Sequence, residues 1–374
     1  MIVGSSLSLW VYRSIMTSTG KVDLLDLAAS ALAATVAAAR PIRDLSNFGG
    51  EKNARLKGDG SVVTDADFSA QGAIMRTIQQ VSGHVRIVGE ESEEEMLRHL
   101  RDDDDDECRE SQVYQLAREE VRMRYHNRKG RPPLSGDDSR VPSPVDVDKL
   151  DSSDVIVDAD RVSVFVDPLD GTKSYARADY NAVTILIAVI LDNAPCFGVI
   201  CKPFGCKETT SILDTGCVAI YGGTLLNGVY VAGGSKLHNP LRPEGELPRA
   251  VISRSRSEGI VRDFVDELAA KKVIHPEPLF VAGAGEKSLR LVMGTENEAL
   301  WFFPKAGTSL WDVAASDALL RQLGGKLTDK YGQELDYSKS RENADNTDGI
   351  IACNDEALHA ECIKLFQGRT WTER

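Results

Sequence analysis

The sequence has no uninterrupted apolar run of roughly 18 residues and no pair of cysteines in CxxC spacing. The first absence predicts that no helix spans a membrane, because a helix needs about 20 apolar residues to cross a bilayer. The second excludes the usual zinc-ribbon and thioredoxin-like motifs. The seven cysteines are odd in number and scattered. This predicts reduced, mostly buried thiols in a reducing compartment, and we expect a cytoplasmic protein.

The chain also lacks an excess of positive charge. Its 44 lysines and arginines stand against 57 acids, which gives a formal net charge of −13. Nucleic acids are bound through clustered cations, so the charge balance argues against a nucleic-acid partner. An acidic protein that handles an anionic substrate needs cations to mediate the contact, and this points towards metal. The length of 374 residues and a hydrophobic content of 42% allow a large core.

Composition and hydrophobic spacing predict three parts of the chain. Strands and helices alternate after the first segment, which favours a layered α/β or α+β architecture. Organelle targeting by residues 1–15 stays open, and Met16 is an alternative start. The predicted parts are an N-terminal extension over residues 1–20, an N-terminal α+β lobe over 21–220 and a C-terminal α/β lobe over 221–374.

One segment of the first lobe differs sharply from its surroundings. Residues 93–155 include five consecutive aspartates, Asp102 to Asp106, followed by a basic stretch and by Pro- and Asp-rich sequence. Dense like charge with little apolar content is typical of solvated chain. We therefore predict a partly disordered insertion here, with some helix around residues 110–125.

The stretch VFVDPLDGTKSYA, residues 164–176, ends an apolar strand in two acids. Asp-Pro and Asp-Gly are common turn pairs, so a plain turn is one interpretation. A covalent aspartyl-phosphate mechanism would place a carboxylate where Pro168 stands, and proline cannot be phosphorylated. The third interpretation is a metal site, because Mg²⁺ prefers hard oxygen ligands. Asp167, Asp170 and the carbonyl of Leu169 can supply three, and Gly171 allows close approach of a phosphate.

Further acids follow the same pattern at the ends of other predicted elements. Glu90 and Glu91 end a strand, whereas Asp67 and Asp312 open helices. Each alone has an ordinary explanation, since acids favour helix N-termini and glutamates are common in solvated acidic runs. Four such stretches in one chain favour a shared metal site.

The stretches VTDADFSAQ, VGEES, VDPLDGT and WDVAASDALLRQLGGKLTD resemble the signatures of the lithium-sensitive, Mg²⁺-dependent phosphatase superfamily. That superfamily includes inositol monophosphatase, inositol polyphosphate 1-phosphatase, fructose-1,6-bisphosphatase and 3′(2′),5′-bisphosphate nucleotidase. The resemblance extends from about residue 20 to 365. It implies a layered αβαβα sandwich, inhibition by Li⁺, and two or three Mg²⁺ ions in each site.

The resemblance also implies roles for individual residues. Thr172 would hydrogen-bond the attacking water and Asp67 would accept its proton, while Glu91 would support the neighbouring ligands. The implied metal ligands are Glu90, Asp167, the Leu169 carbonyl, Asp170 and Asp312. The implied substrate-binding residues are Gly171, Ser253, Arg256, Gly283, Gly285, Lys287 and Ser288.

The motifs are most similar to those of the bisphosphate nucleotidases. The implied reaction removes the 3′-phosphate of adenosine 3′,5′-bisphosphate in a monomer or homodimer. Inositol 1,4-bisphosphate as substrate, and a catalytically silent protein that senses a phosphorylated ligand, remain the alternatives. One departure affects base recognition: Arg256 stands where the nucleotidase motif usually has histidine.

Overall fold

The computed structural model describes residues 20–47, 54–57, 62–92, 107–128, 155–205, 216–240 and 242–371. The helices in these ranges are α1 (Leu24–Asn47), α2 (Asp65–Val81), α3 (Glu107–Arg128), α4 (Thr172–Ala176), α5 (Ile260–Ala270), α6 (Ala284–Met293), α7 (Leu310–Gln322) and α8 (Glu356–Gln367). The strands are β1 (Lys21–Asp23), β2 (Arg55–Leu56), β3 (Val62–Val63), β4 (Arg86–Gly89), β5 (Ile156–Asp158), β6 (Val162–Asp170), β7 (Thr184–Leu191), β8 (Ala194–Lys202), β9 (Val218–Gly223), β10 (Gly228–Val231), β11 (Lys236–Leu237), β12 (Arg249–Ser253), β13 (Leu279–Val281), β14 (Glu298–Phe303), β15 (Lys326–Thr328) and β16 (Ile350–Cys353).

Two large sheets organise the molecule. The first has seven strands in the order β11-β10-β9-β8-β7-β6-β4, and β4 runs parallel to β6 at its edge. The second has five strands in the order β13-β12-β14-β16-β15, and β12 runs parallel to both β13 and β14. Because parallel strands end at the same edge of a sheet, the loops after β12, β13 and β14 lie together.

The central strands of the first sheet are buried on both faces. Val164 and Val166 of β6 belong to a core shared with α1 and α2. Phe165, between them, belongs to a second core shared with α6, α7 and the second sheet, as the two-residue repeat of a strand requires. Helices α6 and α7 contact strands of both sheets, and α8 contacts β16 and α5. This order of layers confirms the predicted αβαβα sandwich.

The predicted boundary between the lobes needs correction. The division between residues 220 and 221 falls inside β9, whose register with β8 runs through Ile220 and Tyr221. Strands β10 and β11 then extend the same sheet to Leu237. The first sheet therefore ends at residue 237, and the second begins with β12.

The predicted insertion contains a helix that belongs to the core. Within residues 93–155, helix α3 buries Ala117, Val121 and Tyr125 in the core that also contains α1. Composition alone indicated a solvated segment, because the charged side chains outnumber the few apolar ones that make these contacts. Residues 93–106 and 129–154 of this prediction, and residues 1–19 of the predicted extension, lie outside the described residues.

Helix α1 continues through Pro41. A proline inside a helix usually ends or kinks it because it lacks an N–H donor, but this helix extends to Asn47. Buried Ile42 follows the proline, and its carbonyl accepts a hydrogen bond from the hydroxyl of Tyr175. The helix is long and apolar enough to cross a membrane by length and composition, and 83% of its apolar window is buried in the protein.

Candidate active site

Asp67 and Thr172 meet across 105 residues of sequence. Asp67 is the third residue of α2, where its Oδ2 accepts hydrogen bonds from the backbone N–H and the hydroxyl of Thr64, both at 2.7 Å. This capping box leaves Oδ1 directed at Thr172, whose hydroxyl oxygen lies 3.0 Å away. The same hydroxyl lies 3.0 Å from the carbonyl of Leu169. One hydroxyl proton thus has two acceptors, and its oxygen retains lone pairs for a further donor.

The two aspartates of the DPLDGT motif are separated by an irregularity in β6. Asp167 pairs with Leu186 and Asp170 with Thr184, so three steps along β6 match two along β7. Such an extra residue bends a strand and redirects its side chains. The Asp167 carboxylate accepts the N–H of Leu169 at 3.1 Å. Gly171 follows in the left-handed region, φ 85°, where a side chain would be strained.

Asp170 is held by the start of α6. Its Oδ2 accepts the hydroxyl of Thr184 at 2.9 Å and the N–H of Gly285 at 2.7 Å. A Cβ on Gly285 would lie 2.1 Å from the Thr184 hydroxyl oxygen, and one on Gly283 would lie 2.8 Å from Asp170 Oδ2. These glycines therefore let α6 approach Asp170. Gly283 and Gly285 were predicted to bind substrate, but the structure places them against this carboxylate.

Glu90 and Glu91 follow β4 and share one lysine. The ammonium of Lys57 lies 3.1 Å from a Glu90 oxygen and 2.6 Å from a Glu91 oxygen. Glu91 is almost fully buried, and its backbone N–H and carbonyl both pair with the side-chain amide of Gln71. Burial alone would lower the pKa of Lys57, but Glu90 and Glu91 raise it above its ordinary value.

Asp312 occupies the third residue of α7 and repeats the arrangement at Asp67. Its Oδ2 accepts the N–H of Ser309 at 2.7 Å in a second capping box. The Asp312 carboxyl also lies close enough to Asp167 and Asp170 for these acids to influence one another's pKa. The N-terminus of a helix favours a carboxylate at this position.

The acids lie close enough to perturb one another. Burial, followed by repulsion from Glu90, raises the pKa of Asp67 to about 8. Burial, followed by repulsion from Asp170, raises the pKa of Asp312 to about 7. The pKa of Asp167 is raised well above its ordinary value by burial and then by Glu90, Asp170 and Asp312. Carboxylates in this field carry their full charge only if cations balance them.

The chemistry of this donor set fits Mg²⁺. The buried donors are carboxylates and one carbonyl, the hard oxygen ligands that this ion prefers. Among the described residues, no three Asp, Glu, His or Cys side chains form a ready-made coordination shell. Asp67, Asp170 and Asp312 each accept a hydrogen bond from a backbone N–H through one carboxylate oxygen. The raised pKa values of Asp67, Asp167 and Asp312 also fit a cation site. A bound divalent cation would offset the repulsion between these carboxylates.

The residues predicted to bind substrate separate into two groups. Ser288 is fully buried, and its hydroxyl bonds the Ala284 carbonyl at 2.9 Å and the Ser316 hydroxyl at 2.5 Å. It packs α6 against α7, so its hydroxyl is engaged within the protein, and its substrate role stays a prediction. Ser253 ends β12 and is likewise buried.

Lys287 and Arg256 remain at the edge where β12, β13 and β14 end. The Lys287 ammonium bonds the Gly283 carbonyl and lies 5.0 Å from the centre of the Trp301 ring. Burial lowers the pKa of Lys287 to about 8, although Asp170 opposes that shift. The Arg256 guanidinium lies 4.6 Å from the centre of the Phe303 ring and donates to the Gly307 carbonyl at 2.8 Å.

Several residues that hold the site together were absent from the sequence prediction. The capping boxes at Thr64 and Ser309 could have been found, since each is a hydroxyl residue three positions before the acid. Lys57, Gln71 and Arg341 could not, because their partners at residues 89–91 lie in another part of the chain.

The fold matches that of a known class of proteins. An inositol monophosphatase from Zymomonas mobilis superimposes with a TM-score of 0.54 at 18% identity, covering 91% of this chain and 97% of that one. At this identity the likeness shows the fold alone. The model of the inositol monophosphatase family matches residues 132–369. The chain therefore belongs to the inositol monophosphatase family, which is Mg²⁺-dependent, and the predicted resemblance is confirmed.

Two curated relatives carry different names. A 3′(2′),5′-bisphosphate nucleotidase 1 from Dictyostelium discoideum is 30% identical over 217 residues, 56% of this chain and 65% of the relative. An inositol monophosphatase 3 from Danio rerio is 30% identical over 185 residues, 49% of this chain and 48% of the relative. In both cases the chain covers less than two thirds of the relative.

Proposed function

We propose that the protein is a Mg²⁺-dependent phosphomonoesterase that removes the 3′-phosphate of adenosine 3′,5′-bisphosphate and releases AMP and phosphate. The observation that carries the proposal is the Asp67–Thr172 pair beside the carboxylate cluster. A site that only sensed a phosphorylated ligand would have no use for a buried base paired to a hydroxyl. Similarity to bisphosphate nucleotidases supports the choice of substrate.

In the proposed reaction, one set of side chains binds the metal ions, and Thr172 and Asp67 handle the attacking water. Two or three Mg²⁺ ions, held by the ligands predicted above, would lower the pKa of water and neutralise charge on the phosphate. Thr172 donates a hydrogen bond to Asp67 Oδ1, so its oxygen can accept a hydrogen bond from the attacking water and orient it. As the water attacks, its proton would pass to the Thr172 oxygen while the Thr172 hydroxyl proton passes to Asp67, so that Asp67 gains one proton. Pro168 leaves no second aspartate in the position that a covalent aspartyl mechanism would need.

Cationic side chains across the site favour a substrate with a second phosphate. Lys287 and Arg256 lie at the common end of β12, β13 and β14, close enough for Arg256 to help lower the pKa of Lys287 after burial has done so. The Lys305 ammonium lies 5.6 Å from the centre of the Phe303 ring, which Arg256 also contacts. Arginine binds phosphate through paired N–H groups, so Arg256 can take the role for which the nucleotidase motif uses histidine.

Phosphate release tests the proposal directly. Wild-type protein is assayed with adenosine 3′,5′-bisphosphate and with inositol 1,4-bisphosphate, each with Mg²⁺ and with EDTA. We expect Mg²⁺-dependent turnover that Li⁺ inhibits, with a higher kcat/KM for the nucleotide. Asp170→Asn should lower kcat/KM at least about a hundredfold, because several kcal/mol of charge stabilisation are lost.

The control is Asp266→Asn, an exposed acid of α5 paired with Arg262, which should keep wild-type activity. A higher kcat/KM for inositol 1,4-bisphosphate would instead assign an inositol polyphosphate 1-phosphatase. Absence of turnover with both substrates would contradict the enzymatic proposal. It would favour a catalytically silent protein that senses a phosphorylated ligand.

A further inference from the structure

The backbone around Glu90 is held from two sides by side chains of distant elements. Gln71 of α2 donates to the Glu91 carbonyl at 2.7 Å and accepts the Glu91 N–H at 2.9 Å. The Glu90 N–H donates to the Val166 carbonyl at 3.1 Å and so extends the pairing of β4 with β6. These contacts tie the residues after β4 to the helix that carries Asp67 and to the strand that carries Asp167.

Arg341 holds the same backbone from the second half of the chain. It lies in a short 3₁₀ helix, Arg341–Asn343. Its Nη2 donates to the Glu90 carbonyl at 2.6 Å and its Nε donates to the Gly89 carbonyl at 3.2 Å. Two donors of one rigid guanidinium on two successive carbonyls restrict both the position and the rotation of this backbone.

A second arginine ties the same loop to β4 without touching Glu90. Arg86, near the start of the strand, donates to the carbonyls of Ser338 and Lys339, both at 3.2 Å. Arg86 therefore extends from the strand to the loop, whereas Arg341 extends from the loop to the end of the strand. Loss of either should loosen the loop, but only loss of Arg341 should release the backbone that carries Glu90.

We propose that Arg341 is a positioning residue for the metal centre: by binding the Gly89 and Glu90 carbonyls it aims the Glu90 carboxylate, and so links cation affinity to the loop after β15. This inference rests on the proposed function, because it needs Glu90 to be a Mg²⁺ ligand. Residues that orient metal ligands commonly change metal affinity by roughly 10- to 100-fold. Lys57 neutralises the same carboxylate but leaves its backbone unrestrained, so it cannot replace Arg341.

Mg²⁺ affinity in the absence of substrate is the measurement that tests the inference. Isothermal titration calorimetry should show that Arg341→Ala weakens Mg²⁺ binding by roughly tenfold or more. Arg341→Lys, with a single ammonium in place of the fork, should fall between Arg341→Ala and the wild type, and it serves as the test variant if Arg341→Ala does not fold. At saturating Mg²⁺ the kcat of these variants should return close to the wild-type value.

Arg86→Ala is the matched control, with thermal unfolding in EDTA measured for every variant. It should lower Tm as Arg341→Ala does, yet bind Mg²⁺ with wild-type affinity. Wild-type affinity in folded Arg341→Ala, or equal weakening in Arg86→Ala, would overturn the positioning role while leaving the proposed function intact. Absence of Mg²⁺ binding in the wild-type protein would overturn the proposed function and this inference together.

Discussion

The hydroxyl of Thr172 is the smallest feature on which the proposed chemistry depends. Thr172→Ala removes the donor to Asp67 Oδ1 and the oxygen that would orient water. Since positioned proton transfer contributes roughly 10²- to 10⁴-fold, kcat/KM for adenosine 3′,5′-bisphosphate should fall about a hundredfold or more. Thr172→Ser keeps the hydroxyl and should keep most of the activity. Similar losses in both variants would assign the effect to packing around α4 instead.

At the residue scale, the positions of the acids could be predicted from the sequence more readily than the surroundings of the predicted substrate residues. Asp67, Asp167, Asp170 and Asp312 all end strands or open helices, and these positions can be found from periodicity. The structure brings all four together with Glu90. Which side of α6 faces the site could not be predicted, because it depends on how α6 packs against α7. The contact of Ser288 with Ser316 of α7 could not be predicted for that reason.

At the scale of single elements, a buried histidine joins α8 to β15. His359 Nε2 lies 2.9 Å from the Thr328 hydroxyl oxygen. Burial, followed by the charge of Lys326, lowers the pKa of His359 to about 4. Between this pH and the ordinary value near 6.5, the unfolded chain binds a proton that the folded chain does not. Stability should therefore fall as pH decreases through this window, by an amount on the order of 3 kcal/mol once both pKa values are passed.

Urea unfolding between pH 7.5 and 4.5 measures this effect. His359→Gln removes the titrating group, so the difference between wild type and variant should shrink as the pH decreases. If the free energies of unfolding of wild type and variant changed in parallel with pH, His359 would not be a neutral, buried side chain. The sequence alone could not show that His359 points inwards, since histidine is compatible with either face of a helix.

At the scale of the whole molecule, helix α3 connects the N-terminal elements with the far end of the first sheet. On one side the helix is held by Arg122, which pairs with Asp23 of β1 and Asp26 of α1, both at 2.8 Å. At the far end of the sheet it is held by Glu120. Composition predicted a layered sandwich because strands and helices alternate. Composition could not predict that α3 packs on the core of the sandwich, because its buried residues are few and lie among charged ones.

The buried carboxylate of Glu120 gives the prediction that belongs to this scale. It accepts the Tyr221 hydroxyl at 2.8 Å and the Gly233 N–H at 2.9 Å, which lie on β9 and just beyond β10. Glu120→Ala leaves the Tyr221 hydroxyl without this acceptor in a buried position, and such a loss costs roughly 1–3 kcal/mol. Urea unfolding should show that decrease, with kcat at 25 °C unchanged because the site lies elsewhere.

Glu119→Ala is the matched control, because the neighbouring glutamate is exposed and should change stability by less than about 0.5 kcal/mol. If both variants unfolded like the wild type, α3 would be an accessory to the fold, as composition indicated, and deletion of residues 97–150 would be tolerated. We expect the opposite, since deletion would uncover the apolar contacts of Ala117, Val121 and Tyr125 on the shared core as well as the partners of Glu120. Loss of cooperative unfolding in that deletion would establish α3 as part of the sandwich itself.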